Sequence, residues 1–375
     1  MAAATTNSRQ LLCEGVKVIL TARDEKRGLE AVEKLKSSSS SSSGFNSNNS
    51  IIFHQLQVTD LASIASLALF VESQFGKLDI LVNNAGILGV TIDEAGQKAW
   101  AAHGFGPNIN WDDLNMVQTY EQSVECIQTN YYGAKSVTEA LIPLLQLSDS
   151  PRIVNVSSGA GKLQYIPNEW AKKVLNDPEN LTEEKIDEVI NQFLKDFEKG
   201  RLEAEKWPLY FSAYMVSKAA FNAYTRILAR KYTGFRINCV CPGYVKTDIN
   251  YNSGVLTVEE GAKGPNIPNE WAKEILKDAE NLTYKKIDDV VKVFLEDFKQ
   301  GLLEAKGWPL YFSAYRVSRA AINAYTRVLA RKNPSFRINC VSPGVVTGEN
   351  RHELWYRFVD CGGRWSKPGE ASIAA

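Results

Sequence analysis

The feature that most restricts the fold of this chain is the alternation of short apolar segments with longer amphipathic ones. Parallel strands need long crossover connections, which helices usually supply, so this alternation predicts a parallel sheet with helices on both faces. Strands are expected over 15–21, 51–58, 78–82, 152–156 and 236–240, and helices over 24–36, 61–75, 122–147 and 210–230. The pattern therefore predicts an α/β fold with a doubly wound sheet.

The composition is typical of a globular protein that binds neither nucleic acid nor membrane. Apolar residues make up 44% of the chain, and 43 Lys and Arg residues balance 43 Asp and Glu residues. A neutral chain offers no basic surface to polyanions. No apolar run approaches the length of a membrane span, and the six Cys lack the spacing of zinc ligands. We expect a cytoplasmic protein with reduced thiols, no metal and a small-molecule partner.

Polar and glycine-containing motifs follow the ends of three expected strands. Asn83-Asn84-Ala85-Gly86 follows the third strand, Ser157-Ser158 the fourth and Pro242-Gly243 the fifth. The carboxyl ends of parallel strands form the edge at which open α/β sheets bind ligands. The sequence therefore predicts one site at that edge.

Tyr214 and Lys218 stand four residues apart on an expected helix, so they share one face. A cation beside a phenol favours the phenolate, and the pKa of the tyrosine is expected to fall from about 10. Such a group can exchange a proton with a carbonyl oxygen, which a nearby serine can polarise. With hydride from a nicotinamide this is carbonyl reduction. Tyr-x-x-x-Lys also arises by chance in helices, so the order of the surrounding motifs decides between the two readings.

That order resembles the short-chain dehydrogenase/reductase family, and within it the plant monomeric branch of terpenoid and alkaloid reductases. The matching motifs are Asn83–Gly86, Asn130, Ser158, Tyr214 with Lys218, and Pro242–Thr247. The resemblance covers most of residues 8–265 and implies a Rossmann-like domain over 1–265. Its expected activity is hydride transfer between a nicotinamide and a ketone or alcohol.

The resemblance implies a role for each catalytic residue. Tyr214 donates the proton, Lys218 holds the nicotinamide ribose and acidifies Tyr214, Ser158 orients the carbonyl, and Asn130 anchors a water relay to Lys218. Ser158 is preferred to Ser157 because the family pattern is Ser-x-x-Gly, here ending at Gly161.

The resemblance also implies a binding site for NADP. The residues expected to contact it are Arg23, Val58, Asn84, Ala85, Gly86, Tyr214, Lys218, Pro242, Gly243, Val245 and Thr247. Arg23 directly follows the first expected strand, where an acid suits the ribose 2′-hydroxyl of NAD and Arg accommodates the 2′-phosphate of NADP. A surface arginine is the alternative, and Asp24 beside it tempers the argument for NADP.

Residues 162–212 separate Ser158 from Tyr214 and carry apolar stripes that include Ile186, Ile190 and Phe193. The stripes predict two helices that pack on each other. The resemblance implies that these helices form a lid over the substrate. In this branch the lid also covers a face through which other family members dimerise, so we expect a monomer.

Residues 266–347 repeat the lid, the catalytic helix and the strand after it. Trp207–Tyr214 returns as Trp308–Tyr315, and Arg319 stands where Lys218 has its counterpart. The planar fork of Arg is not equivalent to Lys for gripping a ribose, and no serine of its own precedes Tyr315. We read the repeat as a non-catalytic duplicate whose strand, 337–341, pads the sheet edge beside 236–240. In the alternative arrangement 337–341 lies next to the strand that ends at Ser158.

Three departures from the family leave two functions open. No Thr-Gly-x-x-x-Gly-x-Gly motif, with its central strand and phosphate cradle, precedes Ser8. Gln57 stands where the family has Asp, and the duplicate replaces the last strand expected after Pro265. The tail over 348–375 is unassigned. The chain is therefore either an NADP-dependent carbonyl reductase or a catalytically impaired relative, such as a pseudoenzyme or a defective fusion.

Overall fold

The computed structural model describes residues 8–9, 11–12, 15–39, 50–103, 110–254, 256–258, 267, 269–278, 280–309, 313–332 and 372–374. The chain forms two compact units that divide after Val258, and the segment Ser372–Ala374 belongs to the first. Each unit is described by itself.

The first unit is built on a six-stranded parallel sheet in the order β2-β1-β8-β3-β6-β7, and a short antiparallel hairpin of β4 and β5 lies apart from it. The strands are β1 (Lys17–Ala22), β2 (Ile51–Gln55), β3 (Ile80–Asn83), β4 (Thr91–Ile92), β5 (Met116–Val117), β6 (Arg152–Val156), β7 (Arg236–Val240) and β8 (Ser372–Ala374). This sheet confirms the predicted α/β class. Central residues of its inner strands, such as Leu20 and Ile153, are fully buried, because helices cover the parallel sheet.

The helices of the first unit follow the predicted order. They are α1 (Glu25–Ser39), α2 (Leu61–Phe75), α3 (Glu94–His103), α4 (Tyr120–Ile127), α5 (Ala134–Leu145), α6 (Glu169–Asn176), α7 (Glu183–Glu198) and α8 (Ser212–Lys231). Helix α2 has the predicted bounds because Asp60 caps its first turn and Gly76, with φ of +69°, ends it. Helix α3 and the β4–β5 hairpin were not predicted.

The single helix expected over 122–147 is interrupted. A π-helical turn, Gln128–Gly133, separates α4 from α5 and contains Asn130. A wide turn of this kind is often found at functional sites. Within this turn, Asn130 bonds to Ile87, which lies 43 residues away in the chain.

The segment predicted to form a lid, here called the lid segment, contains α6 and α7, whose apolar residues face the core together with Trp207. Two polar contacts tie α7 to the π turn and α5: the Tyr132 hydroxyl donates to Asp187 at 3.0 Å, and Lys135 pairs with Glu183 at 2.6 Å. Within the lid segment, the carboxylate of buried Asp196 accepts hydrogen bonds from Gln192, Arg201 and Trp207.

The second unit contains α9 (Glu270–Lys277), α10 (Tyr284–Lys299) and α11 (Ser313–Lys332), which share a core of their own. Asn269 and Thr283 cap α9 and α10 as Asn168 and Thr182 cap α6 and α7. The strand expected over 337–341 lies outside the described residues, and so do both arrangements proposed for it.

No described helix is long and apolar enough to cross a membrane. Among the residues that the structure describes, no group of His, Cys, Asp and Glu could hold a metal ion. Among the described residues, Cys126, Cys239 and Cys241 are free thiols.

Candidate active site

The catalytic helix α8 begins with a strained residue and a side-chain cap from a distant loop. Phe211, just before the helix, is buried and has φ of +48°. The Gln118 side-chain oxygen accepts from the Ser212 N–H at 2.8 Å and from the Ser212 hydroxyl at 2.9 Å. Its amide nitrogen donates to the Leu209 oxygen at 2.7 Å. Gln118 thereby fixes the entry to the helix that carries Tyr214, a role that sequence reasoning missed.

Tyr214 and Ser158 meet at the carboxyl edge of the sheet. The Ser158 side chain neighbours the Tyr214 phenol and acts to lower the pKa of Tyr214. Ser158 follows β6 and caps the 3-10 turn Gly159–Gly161, accepting from the Ala160 N–H at 3.1 Å. Two hydroxyls that converge in this way can both bond to one carbonyl oxygen.

Lys218 is buried beneath this pair. Its Nζ donates to the Val156 oxygen at 3.0 Å and lies 5.9 Å from the centre of the Tyr214 ring. One glycine makes room for it. A Cβ on Gly161 would stand only 2.6 Å from the Lys218 main-chain carbon.

The protein alone does not lower the pKa of Tyr214, contrary to the expectation from its spacing to Lys218. Burial raises the pKa of Tyr214 to about 12, and the hydrogen bond with Ser158 offsets only part of that rise. Burial also lowers the pKa of Lys218. The physical reason is desolvation, which disfavours both charged forms and outweighs their attraction at this separation. Tyr214 is therefore a protonated phenol at neutral pH.

Asn130 ties the Asn-Asn-Ala-Gly turn to the catalytic helix. Its side-chain oxygen accepts from the Ile87 N–H at 2.8 Å, and its nitrogen donates to the Ile87 oxygen at 2.9 Å and to the Ser217 hydroxyl at 3.0 Å. Ser217 in turn donates to the Tyr214 main-chain oxygen at 2.8 Å. The side chain of Asn130 is thus fully engaged with protein, and the water relay stays a prediction.

The residues expected at the adenosine end surround one cavity. Val58, Asn84 and Ala85 line it, together with Thr21 at the end of β1. Gly133 packs directly against Val58, since a Cβ there would lie 2.9 Å from the Val58 side chain.

Arg23 follows β1 and is exposed. Its neighbour Asp24 accepts from the Arg27 N–H at 2.9 Å and so caps α1. The helix cap gives a structural reason for an acidic residue at position 24. Asp24 is therefore weaker evidence against a phosphate contact by Arg23.

The Pro242–Thr247 loop lies beside Ser158. The Ser157 N–H donates to the Val240 oxygen at 2.8 Å, and the Gly159 N–H donates to the Cys241 sulfur at 3.1 Å. Gly243 has φ of +88°, which favours glycine. Val245 is buried and forms a parallel bridge with Leu256, and Thr247 begins the turn Asp248–Asn250.

An aromatic cluster adjoins Tyr214 on the side of the β4–β5 hairpin. Trp100 lies 5.4 Å from Phe211 and 6.4 Å from Tyr244, measured between ring centres, and Tyr214 packs against the same cluster. Sequence reasoning missed it because its members come from distant segments.

The comparisons with known proteins agree with this geometry. Residues 4–169 match the family model described as short chain dehydrogenase, and residues 202–293 match the model described as Enoyl-(Acyl carrier protein) reductase. The chain is 57% identical over 257 residues to (+)-neomenthol dehydrogenase of Arabidopsis thaliana, covering 68% of this chain and 84% of the relative. It is 33% identical over 256 residues to human Carbonyl reductase [NADPH] 1, covering 66% and 79%.

Among solved structures, salutaridine reductase from Papaver somniferum is similar, with a TM-score of 0.62 and 49% identity over 70% of this chain and 90% of that one. The sequence matches identify the family. The parallel sheet and the proximity of Ser158 to Tyr214 agree with it. The chain belongs to the short-chain dehydrogenase/reductase family.

Proposed function

We propose that this chain is an NADP-dependent carbonyl reductase that acts on ketones of terpenoid or alkaloid type. The observation that carries the proposal is the convergence of Ser158 and Tyr214 after strand β6, with buried Lys218 bonded to Val156 next to them. The substrate class is supported by the relatives, one of which is a neomenthol dehydrogenase and another a salutaridine reductase.

The proton step follows from the state of these side chains. A carbonyl oxygen bound between Ser158 and Tyr214 accepts hydrogen bonds from both hydroxyls. As negative charge develops on that oxygen, Tyr214 gives up its proton and Ser158 keeps its hydrogen bond. The raised pKa of Tyr214 keeps it protonated at neutral pH, so the protein favours reduction over oxidation.

The residues present fit parts of a dinucleotide. Lys218 supplies a cation beside Tyr214 for the ribose. Val58, Asn84 and Ala85 line a small cavity at the proposed adenosine end, and exposed Arg23 is proposed to contact a 2′-phosphate. When bound, the nicotinamide supplies the hydride. We further propose a cytoplasmic monomer, on the resemblance and on the lid that packs against α8.

The second candidate is an impaired relative. The residues ahead of Ser8 contain no glycine, so they cannot form the glycine-rich turn that presents backbone N–H groups to phosphates. Gln57 also departs from the family: its amide donates to Thr59, and its N–H donates to the Ser63 hydroxyl.

Calorimetric titration with NADPH and with NADH distinguishes an active reductase from an impaired relative. We expect binding of NADPH far weaker than in intact relatives, together with slow reduction of a cyclic ketone. Grafting a strand and a Thr-Gly-x-x-x-Gly-x-Gly loop ahead of Ser8 should strengthen the binding of NADPH. If the grafted chain binds NADPH and still reduces no ketone, the reductase proposal is wrong and the impaired relative stands.

A further inference from the structure

The strand β8 comes from the tail of the chain and lies in the middle of the sheet. Ser372, Ile373 and Ala374 pair with Lys17, Val18 and Ile19 of β1 on one side. On the other side, Ile373 and Ala374 pair with Ile80 and Leu81 of β3. Both pairings are parallel. The tail that sequence reasoning left unassigned therefore occupies the slot between β1 and β3.

Among the described strands, β8 alone joins the two halves of the sheet. Strands β2 and β1 form one half, and β3, β6 and β7 form the other. Neighbouring strands lie about 4.8 Å apart, so β1 and β3 stand roughly two spacings from each other across the slot. Without an occupant, the facing N–H and C=O groups of both strands would lose their partners in a buried place.

The residues that flank the slot between β1 and β3 restrict which sequences can form a strand there. The flanking residues Val18, Ile19 and Leu81 are almost wholly buried, so a central strand here must be apolar and free of proline. The segment Ala371–Ala375 reads Ala-Ser-Ile-Ala-Ala, which meets both requirements, and Pro368-Gly369 just before it suits a turn.

The occupant is shorter than the slot. Beyond Ala374, β1 continues to Ala22 and β3 continues to Asn83. Thr21, Val82 and Asn83 line the cavity that lies there, together with Asn84 and Ala85. The pairing of β8 thus sets the spacing between the strand that leads to Arg23 and the strand that leads to the Asn-Asn-Ala-Gly turn.

We propose that the gap between β1 and β3 is a strand-acceptor site and that Ser372–Ala374 is its occupant, a clasp that closes the sheet in place of the central strand that the family carries ahead of Ser8. The strand pairing is independent of any activity. Its consequence for the cofactor cavity rests on the proposed function.

Hydrogen exchange of the full chain tests the clasp. Ile373→Pro removes one backbone donor from the centre of β8, whereas Ile373→Val keeps the donor and the strand propensity. We expect Ile373→Pro to speed exchange in 17–19 and 80–81 by about tenfold or more, because backbone groups there lose their partners in β8. Exchange in 236–240, which pairs only with β6 among the described strands, should not change. Ile373→Val should match the parent chain. Equal exchange in parent and Ile373→Pro would overturn the proposal.

A second experiment covers a variant that fails to fold. The chain ending at Ser366 is refolded with and without a synthetic peptide of residues 367–375, and a scrambled peptide serves as the control. Recovery of protection in 17–19 with the native peptide alone supports the clasp. Recovery without any peptide, or no recovery with it, contradicts the clasp whatever the reductase activity proves to be.

Discussion

Lys218 Nζ donates a 3.0 Å hydrogen bond to the main-chain oxygen of Val156, two residues before Ser158. This bond joins helix α8 to the end of strand β6. These elements carry the two hydroxyls of the site: Tyr214 lies on the helix, and Ser158 directly follows the strand. The lysine therefore links the helix that carries Tyr214 to the strand that precedes Ser158, in addition to supplying a positive charge.

Tyr214→Phe should abolish ketone reduction, with a loss of at least about 100-fold in kcat, because it removes the phenol that gives up the proton. Tyr315→Phe is the matched control within the duplicate, which has Arg319 at the lysine position. It should leave kcat nearly unchanged. The kcat of both variants is measured by steady-state reduction of a cyclic ketone. Equal losses of kcat would refute the assignment of Tyr214 as the proton donor.

The direction of the reaction should depend on pH. Because burial raises the pKa of Tyr214 to about 12, the phenol is protonated at pH 7 and serves as an acid. Reduction should therefore hold its rate through neutral pH and fall only at strongly alkaline pH. Oxidation of the alcohol needs the phenolate, so its rate should rise with pH over the same range. Profiles of kcat/KM for both directions check this sign, and a reduction rate that rises with pH would contradict it.

Sequence patterns within single segments predicted many of the helices and strands. Helix α2 and strands β6 and β7 lie where apolar spacing and caps placed them, since both signals lie within the segment itself. The π turn at Asn130 was missed because it accompanies bonds between Asn130 and Ile87, 43 residues away in the chain. The pKa of Tyr214 was misjudged for a similar reason: its desolvation depends on residues from separate segments that no local pattern reveals.

Gly161→Ala should lower both the stability of the fold and the kcat of ketone reduction. An added Cβ would lie 2.6–2.8 Å from main-chain and Cβ atoms of Lys218, so helix α8 must shift. We expect a destabilisation of about 1–3 kcal/mol, as for an overpacked core, and a fall in kcat. Gly234→Ala is the control, because no atom lies within 4 Å of its added Cβ. Urea unfolding and kcat measured on both variants decide the matter, and equal stability would show that the loop after Ser158 yields freely.

Arg23→Ala should weaken binding of NADPH and leave binding of NADH unchanged. Arg23 directly follows β1, where the proposed NADP would present its 2′-phosphate, a group that NADH lacks. The loss should be about 1.5–3 kcal/mol, the usual range for a hydrogen bond to a charged group. Arg27→Ala, on the exposed first turn of α1, is the control. Calorimetric titration of the chain with the grafted glycine loop gives enough affinity for the comparison. Equal weakening of both cofactors would assign Arg23 a purely structural role.

Asp196→Asn should loosen the first lid more than Asp297→Asn loosens the second. Asp196 is buried and accepts from Arg201 at 2.6 Å and from Trp207 at 3.0 Å, whereas its counterpart Asp297 accepts from Trp308 at 2.7 Å and has Leu302 in place of the arginine. Burial acts to raise the pKa of Asp196, but the hydrogen bonds from Gln192, Trp207 and Arg201 lower it overall.

A carboxyl whose pKa is lowered by folding stabilises the fold above its unfolded pKa of about 3.9, and this stability is lost as the pH falls through the folded value. At pH 7 the Asn variant should therefore lose about 1.5–3 kcal/mol in the lid, and the difference from the parent should shrink below pH 4. Hydrogen exchange of 183–198 and 284–299, quenched after labelling at each pH, reports both lids in one chain. If the two Asn variants loosen their lids equally, then the arginine contributes nothing and the buried bond to the tryptophan alone holds each lid.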